Sequence, residues 1–107
     1  MKMRVLLLLD EQRNELAVAR VLDEGERFRG TIDLSSTPPH IRELFDEFEE
    51  IVDGQMFSLL DEIQQKIDSL GLRAKFDSCN EARISDLQVY PRTGDVSFRL
   101  AESAVRS

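Results

Sequence analysis

Acidic residues at helical spacing are the first feature of this sequence that could do chemistry. Glu43, Glu47 and Glu50 are four and three residues apart, so on a helix they share one face. Neighbouring carboxylates can carry out acid–base catalysis when burial separates their pKa values, and they can hold a divalent cation. The apolar residues of the segment fall on another side, so we expect these carboxylates to be solvated and ionised. A second set has the same spacing and the same expected exposure: Asp46, Glu49 and Asp53.

The single histidine and the single cysteine are the other candidates for chemistry. His40 lies three residues before Glu43, a spacing that can hold a metal ion when further ligands converge on it. There is no second histidine, and Cys79 lies far along the chain in the stretch SCNE, without a flanking nucleophile signature. Glycine-rich phosphate loops are also missing. The sequence therefore predicts no catalytic residue, no metal site and no cofactor.

Basic residues on the predicted strands form a second charged set. Alternation with apolar residues places them on the sheet face away from the helix: Arg27, Arg29, Arg73, Lys75 and Arg99. This open, basic face could dock an anionic ligand, or its charge could simply keep an exposed sheet soluble and protect its edges. A sheet that binds RNA normally presents aromatic side chains for stacking. Because Phe28, Phe76 and Phe98 fall on the core side, the pattern does not favour nucleic acid.

Charge is distributed unevenly along the chain. The segment 38–70 contains nine acidic and two basic residues and so carries the whole net charge of −7. Complementary charge steers association, so an acidic surface favours a basic protein face as its partner. We call the following residues the acidic helix face and expect it to bind a protein partner: Glu43, Asp46, Glu47 and Glu50.

Length and composition indicate one domain over residues 1–107, with 41% apolar and 33% charged residues. No apolar run approaches the 18 residues or so of a membrane span. The run Val5 to Leu9 is short and is followed by Asp10, so it reads as a strand and not as a signal peptide. One cysteine allows no internal disulfide bond, which favours a reducing compartment such as the cytoplasm.

The elements that would position these residues include one long helical segment. Thr37 is the expected N-cap, Pro38 the first helical residue, and apolar residues recur at helical spacing as far as Leu70-Gly71. An unbroken helix of this length would be about 50 Å long, more than a domain of this size can cover. We therefore expect a kink or an interruption at Gly54 with the direction roughly kept; the alternative is two helices at an angle.

Phe57 falls opposite the apolar stripe of that segment. A local break in the helix could bury it. If it is exposed, it is a candidate anchor for a partner or for a dimer.

Three strands are predicted before the helical segment and three after it. Gly30 interrupts the third and predicts a bulge or a close helix approach. The order β-β-β-α-β-β-β favours an α+β fold, an antiparallel sheet with one long kinked or interrupted helix packed on one face. The first two strands are apolar on both faces, which leaves a surplus that a second subunit could cover. That surplus consists of Leu6, Leu8, Ala17, Ala19 and Val21.

The lack of a catalytic pattern and the uneven distribution of charge together favour a binding function. We expect a small, acidic, non-catalytic interaction domain that serves as an adaptor, regulator or inhibitor of a protein partner, with a homodimer possible and no membrane association. The alternatives are a small enzyme whose site is assembled from scattered residues, and a binder of anionic ligands or nucleic acid on the basic sheet face.

Overall fold

A computed structural model describes residues 3–76 and 81–100. Three strands precede two helices and three follow them, so the order of strands along the chain agrees with the sequence prediction. The strands are β1 (Met3–Leu9), β2 (Glu15–Asp23), β3 (Phe28–Asp33), β4 (Arg73–Phe76), β5 (Glu81–Tyr90) and β6 (Asp95–Leu100). The helices are α1 (Pro39–Asp53) and α2 (Leu60–Asp68), with a 3₁₀ turn at Phe57–Leu59 between them.

The six strands close into an antiparallel barrel in the order β1-β2-β3-β6-β5-β4. The predicted α+β fold, an open sheet with one long helix on one face, is therefore wrong. Each half of the chain makes a three-stranded meander, and the halves join where β3 pairs with β6 and β1 pairs with β4. Closure gives every strand two neighbours and so removes the unpaired edges that an open sheet would expose.

Barrel closure also explains the apolar surplus of the first two strands. The residues predicted to need a second subunit are buried in the core instead: Leu6, Leu8, Ala17, Ala19 and Val21. A barrel has an interior to fill, and small alanine side chains suit its limited width. The alternate positions Val5 and Val18 lie on the outer side, each 42% exposed.

The helices belong to the same hydrophobic core as the barrel. Phe45 and Phe48 of α1 and Ile63 and Ile67 of α2 are buried in one cluster with the barrel residues. Both helices contact β5. The expected N-cap, Thr37, is instead buried, and its Oγ1 donates a hydrogen bond 2.7 Å long to the carbonyl oxygen of Leu16. α1 begins at Pro39 with Pro38 as its N-cap.

The first helix of the helical segment, α1, ends at Asp53. The backbone N–H of Met56 donates to the Ile51 carbonyl and that of Gln55 to the Val52 carbonyl, with Gln55 at φ 55°. This pair of bonds around a left-handed residue is a Schellman motif, which stops a helix and satisfies its last carbonyl groups. An interruption near Gly54 was expected, but the left-handed residue is Gln55. Two helices of 15 and 9 residues fit a molecule whose extents are 37 × 30 × 30 Å.

Candidate partner-binding surface

The acidic helix face lies on α1, whose core-facing residues fix its orientation. Ile41, Phe45 and Phe48 are buried at helical spacing, so the opposite side of α1 faces solvent. All four residues of the acidic helix face are exposed: Glu43, Asp46, Glu47 and Glu50. His40 is also exposed, in the first turn of the same helix. The exposed placement of these carboxylates agrees with the sequence prediction.

Glu49 departs from that prediction, because it is only 6% exposed. Its Oε1 accepts a hydrogen bond 3.1 Å long from the backbone N–H of Arg92, in the turn between β5 and β6. Asp53, one turn later on α1, accepts a bond of 2.7 Å from Nη1 of Arg92. These two carboxylates therefore hold the helix against the β5–β6 turn. Arg92 is 43 residues from Glu49 in sequence, and no local pattern signals their contact.

An exposed apolar turn follows α1 directly. Met56 is 43% exposed, Phe57 is 61% exposed and Leu59 is 45% exposed, and we call these three residues the Phe57 turn. Met56 and Leu59 fall at helical spacing on the predicted apolar stripe, and the break in the helix exposes these side chains, which an unbroken helix would bury. The helical segment does break, but the break leaves Phe57 exposed. Phe57 therefore stays a candidate anchor for a partner or for a dimer. Asp61 and Glu62, which follow at the start of α2, are exposed carboxylates.

Part of the predicted basic face is tied to one acidic residue. Nη1 of Arg27 lies 2.6 Å from Oδ2 of Asp86, and Nε of Arg99 lies 3.9 Å from the same oxygen. Nη2 of Arg27 also donates to Oγ of Ser97 at 2.9 Å. Asp86 has φ 52° at an irregularity of β5 that turns its carboxylate toward these cations. The sequence contains a signal for this irregularity of β5. The apolar residues Ile84 and Leu87 are three positions apart, whereas regular strand alternation would place them two apart.

The rest of the basic set is spread around the barrel wall. Arg29 pairs with Glu24 at 3.3 Å, and Arg73 pairs with Glu81 at 3.8 Å. Lys75 forms no ion pair within residues 3–76 and 81–100. Because the sheet is closed, these cations occupy the outside of a barrel and not one open face. Docking of an anion there stays a prediction, and most of the set already has acidic neighbours.

Tyr90 lies where the helices meet the barrel. Its ring packs against Phe48 with the ring centroids 5.7 Å apart. Burial raises the pKa of the Tyr90 hydroxyl above its ordinary value, and the nearby Glu49 carboxylate raises it further. The hydroxyl is neutral when protonated, so the folded state holds this proton more firmly than the unfolded state does.

Tyr90 is the only tyrosine and the chain has no tryptophan, so its ionisation can be followed directly by ultraviolet absorbance. We expect the folded protein to ionise above the pH near 10 at which the urea-unfolded protein ionises. The tyrosine then contributes to stability below pH ~10, and this contribution is lost as the pH rises through the folded pKa.

The Glu49→Gln variant should lower the folded pKa while leaving it above that of the unfolded chain, because burial is the larger cause. Glu43→Gln, on the exposed side of the same helix, is the matched control and should leave the titration unchanged. Equal pKa values in the folded and unfolded protein would contradict this account.

Within residues 3–76 and 81–100, no group of three or more His, Cys, Asp or Glu residues is arranged to hold a metal ion. Of the helices in those ranges, none is both long and apolar enough to cross a membrane. Cys79 lies outside the described residues. The surface hollow beside Tyr90 is lined by Arg29, Gln88, Asp95 and Ser97.

Comparison of the chain with protein-family models, with curated proteins and with solved structures finds no match.

Proposed function

We propose that this chain is a non-catalytic interaction domain, an adaptor, regulator or inhibitor, that binds a protein partner through the acidic helix face and the Phe57 turn. The observation that carries the proposal is the 61% exposure of Phe57 immediately after a helix whose outer side is acidic. Exposed apolar clusters with a polar surround are typical of protein–protein contact sites.

The backbone that presents Phe57 favours a role in binding. The Schellman motif fixes the chain before it, and the Leu59 N–H donates to the Met56 carbonyl at 2.9 Å within the turn. Aromatic side chains at such fixed positions often supply a large part of the binding energy of an interface. A side chain presented on an ordered turn loses less conformational freedom on binding than one on a mobile loop.

The charges around the turn indicate the chemistry of the partner. Glu50 lies one turn before the end of α1, and Asp61 and Glu62 begin α2, so carboxylates flank the apolar turn on both sides in sequence. The best match is an apolar pocket surrounded by lysine and arginine residues. Such rim charges chiefly raise the rate of association, whereas the central aromatic residue slows dissociation.

Affinity capture from a lysate of the source cells, with quantitative mass spectrometry, tests the proposal. Two variants are compared with the wild type: the triple variant Glu43→Gln, Glu47→Gln, Glu50→Gln, and the single variant Phe57→Ala. We expect one protein to be recovered by the wild type, and its recovery to fall about tenfold or more with each variant. Phe57→Ala removes an aromatic anchor that the partner would bury, and such an anchor is worth about 2 kcal/mol. The triple variant removes the carboxylates that attract a basic partner surface.

A second triple variant with the same change of charge is the matched control: Glu11→Gln, Glu15→Gln, Glu26→Gln. These three carboxylates are exposed and none belongs to a helix: Glu11 and Glu26 lie in the turns on either side of β2, and Glu15 begins β2. The control should capture the same protein as the wild type, and circular dichroism should show that all variants are folded. Equal capture by every variant, or no capture by the wild type, would rule out this surface as the binding site.

A further inference from the structure

A row of four residues crosses the outer wall of the barrel on the strands β4, β1, β2 and β3. Lys75 lies directly opposite Leu7, Leu7 opposite Val18, and Val18 opposite Asp33. Lys75 follows the buried Ala74, and Asp33 follows the buried Ile32, so the alternation of the strands points both outward. We call these four residues the outer row.

The middle of the outer row belongs to an exposed patch that is apolar except for Arg20 of β2, which lies opposite Val5. Val18 is 42% exposed, and on the same side of β1 Val5 is 42% and Met3 56% exposed. Leu7 is half-buried between them. Two surface hollows lie on this wall, and Val18 and Asp33 line both of them. This patch lies away from β5, the strand that the helices contact, so it is distinct from the surface assigned above to a protein partner.

The order of charges along the outer row is antisymmetric: positive, apolar, apolar, negative. Glu81 of β5 lies opposite Lys75 as the next residue outward, but its carboxylate pairs with Arg13 and Arg73 and not with Lys75. The ends of the outer row are three strand spacings apart, about 14 Å, too far for an ion pair within one chain.

Consider a second copy of the chain, related to the first by a two-fold axis that runs parallel to the strands between β1 and β2, in the plane of contact. This axis places the β4–β1 half of one row opposite the β2–β3 half of the other. Lys75 then lies over Asp33 of the second copy, Asp33 over the second copy's Lys75, and Leu7 over the second copy's Val18.

We propose that two copies of this chain associate through the outer row in such an isologous dimer. An isologous interface must be complementary to itself, and the outer row meets this condition in both charge and apolar surface. The Asp33 carboxylate is held in place because its Oδ1 accepts the Ser35 backbone N–H at 2.9 Å. The patch is small, so the dimer is a weak one with a dissociation constant between about 10 µM and about 1 mM.

Sedimentation equilibrium from about 5 µM to about 500 µM protein measures this association. For the wild type we expect a mass that rises with concentration from 12.3 kDa toward twice that value. The single variants Lys75→Glu and Asp33→Lys each place like charges opposite one another twice per dimer, so each should weaken association about tenfold or more.

Mixing those two variants is the decisive measurement. In the mixed dimer every charge of the outer row again meets its opposite, so an equimolar mixture should associate about as well as the wild type. Arg83→Glu, an exposed charge reversal on β5, is the control that should leave association unchanged. Thermal unfolding of each variant checks that it is folded.

Three results would overturn the proposal. A wild type that stays at 12.3 kDa over the whole range has no such dimer. Self-association that both single variants retain uses another surface. Two weakened variants that do not recover on mixing do not pair Lys75 with Asp33. None of these results depends on the partner capture described above, so the two proposals can fail separately.

Discussion

Replacing Gly30 by alanine is expected to destabilise the barrel by about 3 kcal/mol or more, a large part of the stability of a domain of this size. A Cβ at this position would lie 1.9 Å from the Arg20 carbonyl oxygen and 2.7 Å from the Cα of Val21. Both atoms belong to the backbone of β2, with which Gly30 is paired through Val21. A backbone held in a closed barrel cannot move aside as a flexible side chain could.

Urea unfolding followed by Tyr90 fluorescence and by circular dichroism measures this effect. Thr31→Ala is the control, because Thr31 is the next residue of the same strand, is exposed, and should change stability by no more than about 0.5 kcal/mol. If the free energies of unfolding of Gly30→Ala and Thr31→Ala were similar, the close approach of β2 and β3 would be wrong.

Replacing Phe45 by alanine is the second change with a large expected effect, about 3–5 kcal/mol of destabilisation. Phe45 is completely buried within the cluster that unites α1 with the barrel. Removing its ring leaves a cavity between the two, and the surrounding side chains can fill only part of it. We expect one cooperative transition at a lower urea concentration, because the helices and the barrel share a single core.

Phe57→Ala is the matched control, since it removes the same side chain from a position that is 61% exposed. Its expected change in stability is about 0.5 kcal/mol or less. A loss of helical circular dichroism that precedes the change in Tyr90 fluorescence would show instead that the helices form a separate unit. Equal destabilisation by the two variants would contradict the burial of Phe45.

The candidate binding surface could be predicted in part. The spacing of Glu43, Glu47 and Glu50 against the apolar residues of α1 placed them in solvent, because one helix face can be computed from local periodicity. Phe57 was recognisable as the aromatic residue that does not fit that periodicity. The burial of Glu49 was not predictable, because it depends on Arg92, which barrel closure brings to the helix from 43 residues away.

The outer row was not visible in the sequence either. Lys75, Leu7, Val18 and Asp33 come from four strands, and their alignment depends on three separate pairing registers. Periodicity within a strand tells which side chains share a face, but it does not tell which residue of another strand lies opposite.

The sequence by itself determined the local features of this protein: six strands in two groups of three, an amphipathic helical segment that must break, and an acidic stretch carrying the net charge. These depend on neighbouring residues and on the period of each element. Only the tertiary structure decided that the two groups of strands close into a barrel. Strands that are apolar on both faces suit a buried sheet, a dimer or a barrel interior equally well. The choice among these rests on pairing between β1 and β4 and between β3 and β6, which are contacts distant in sequence.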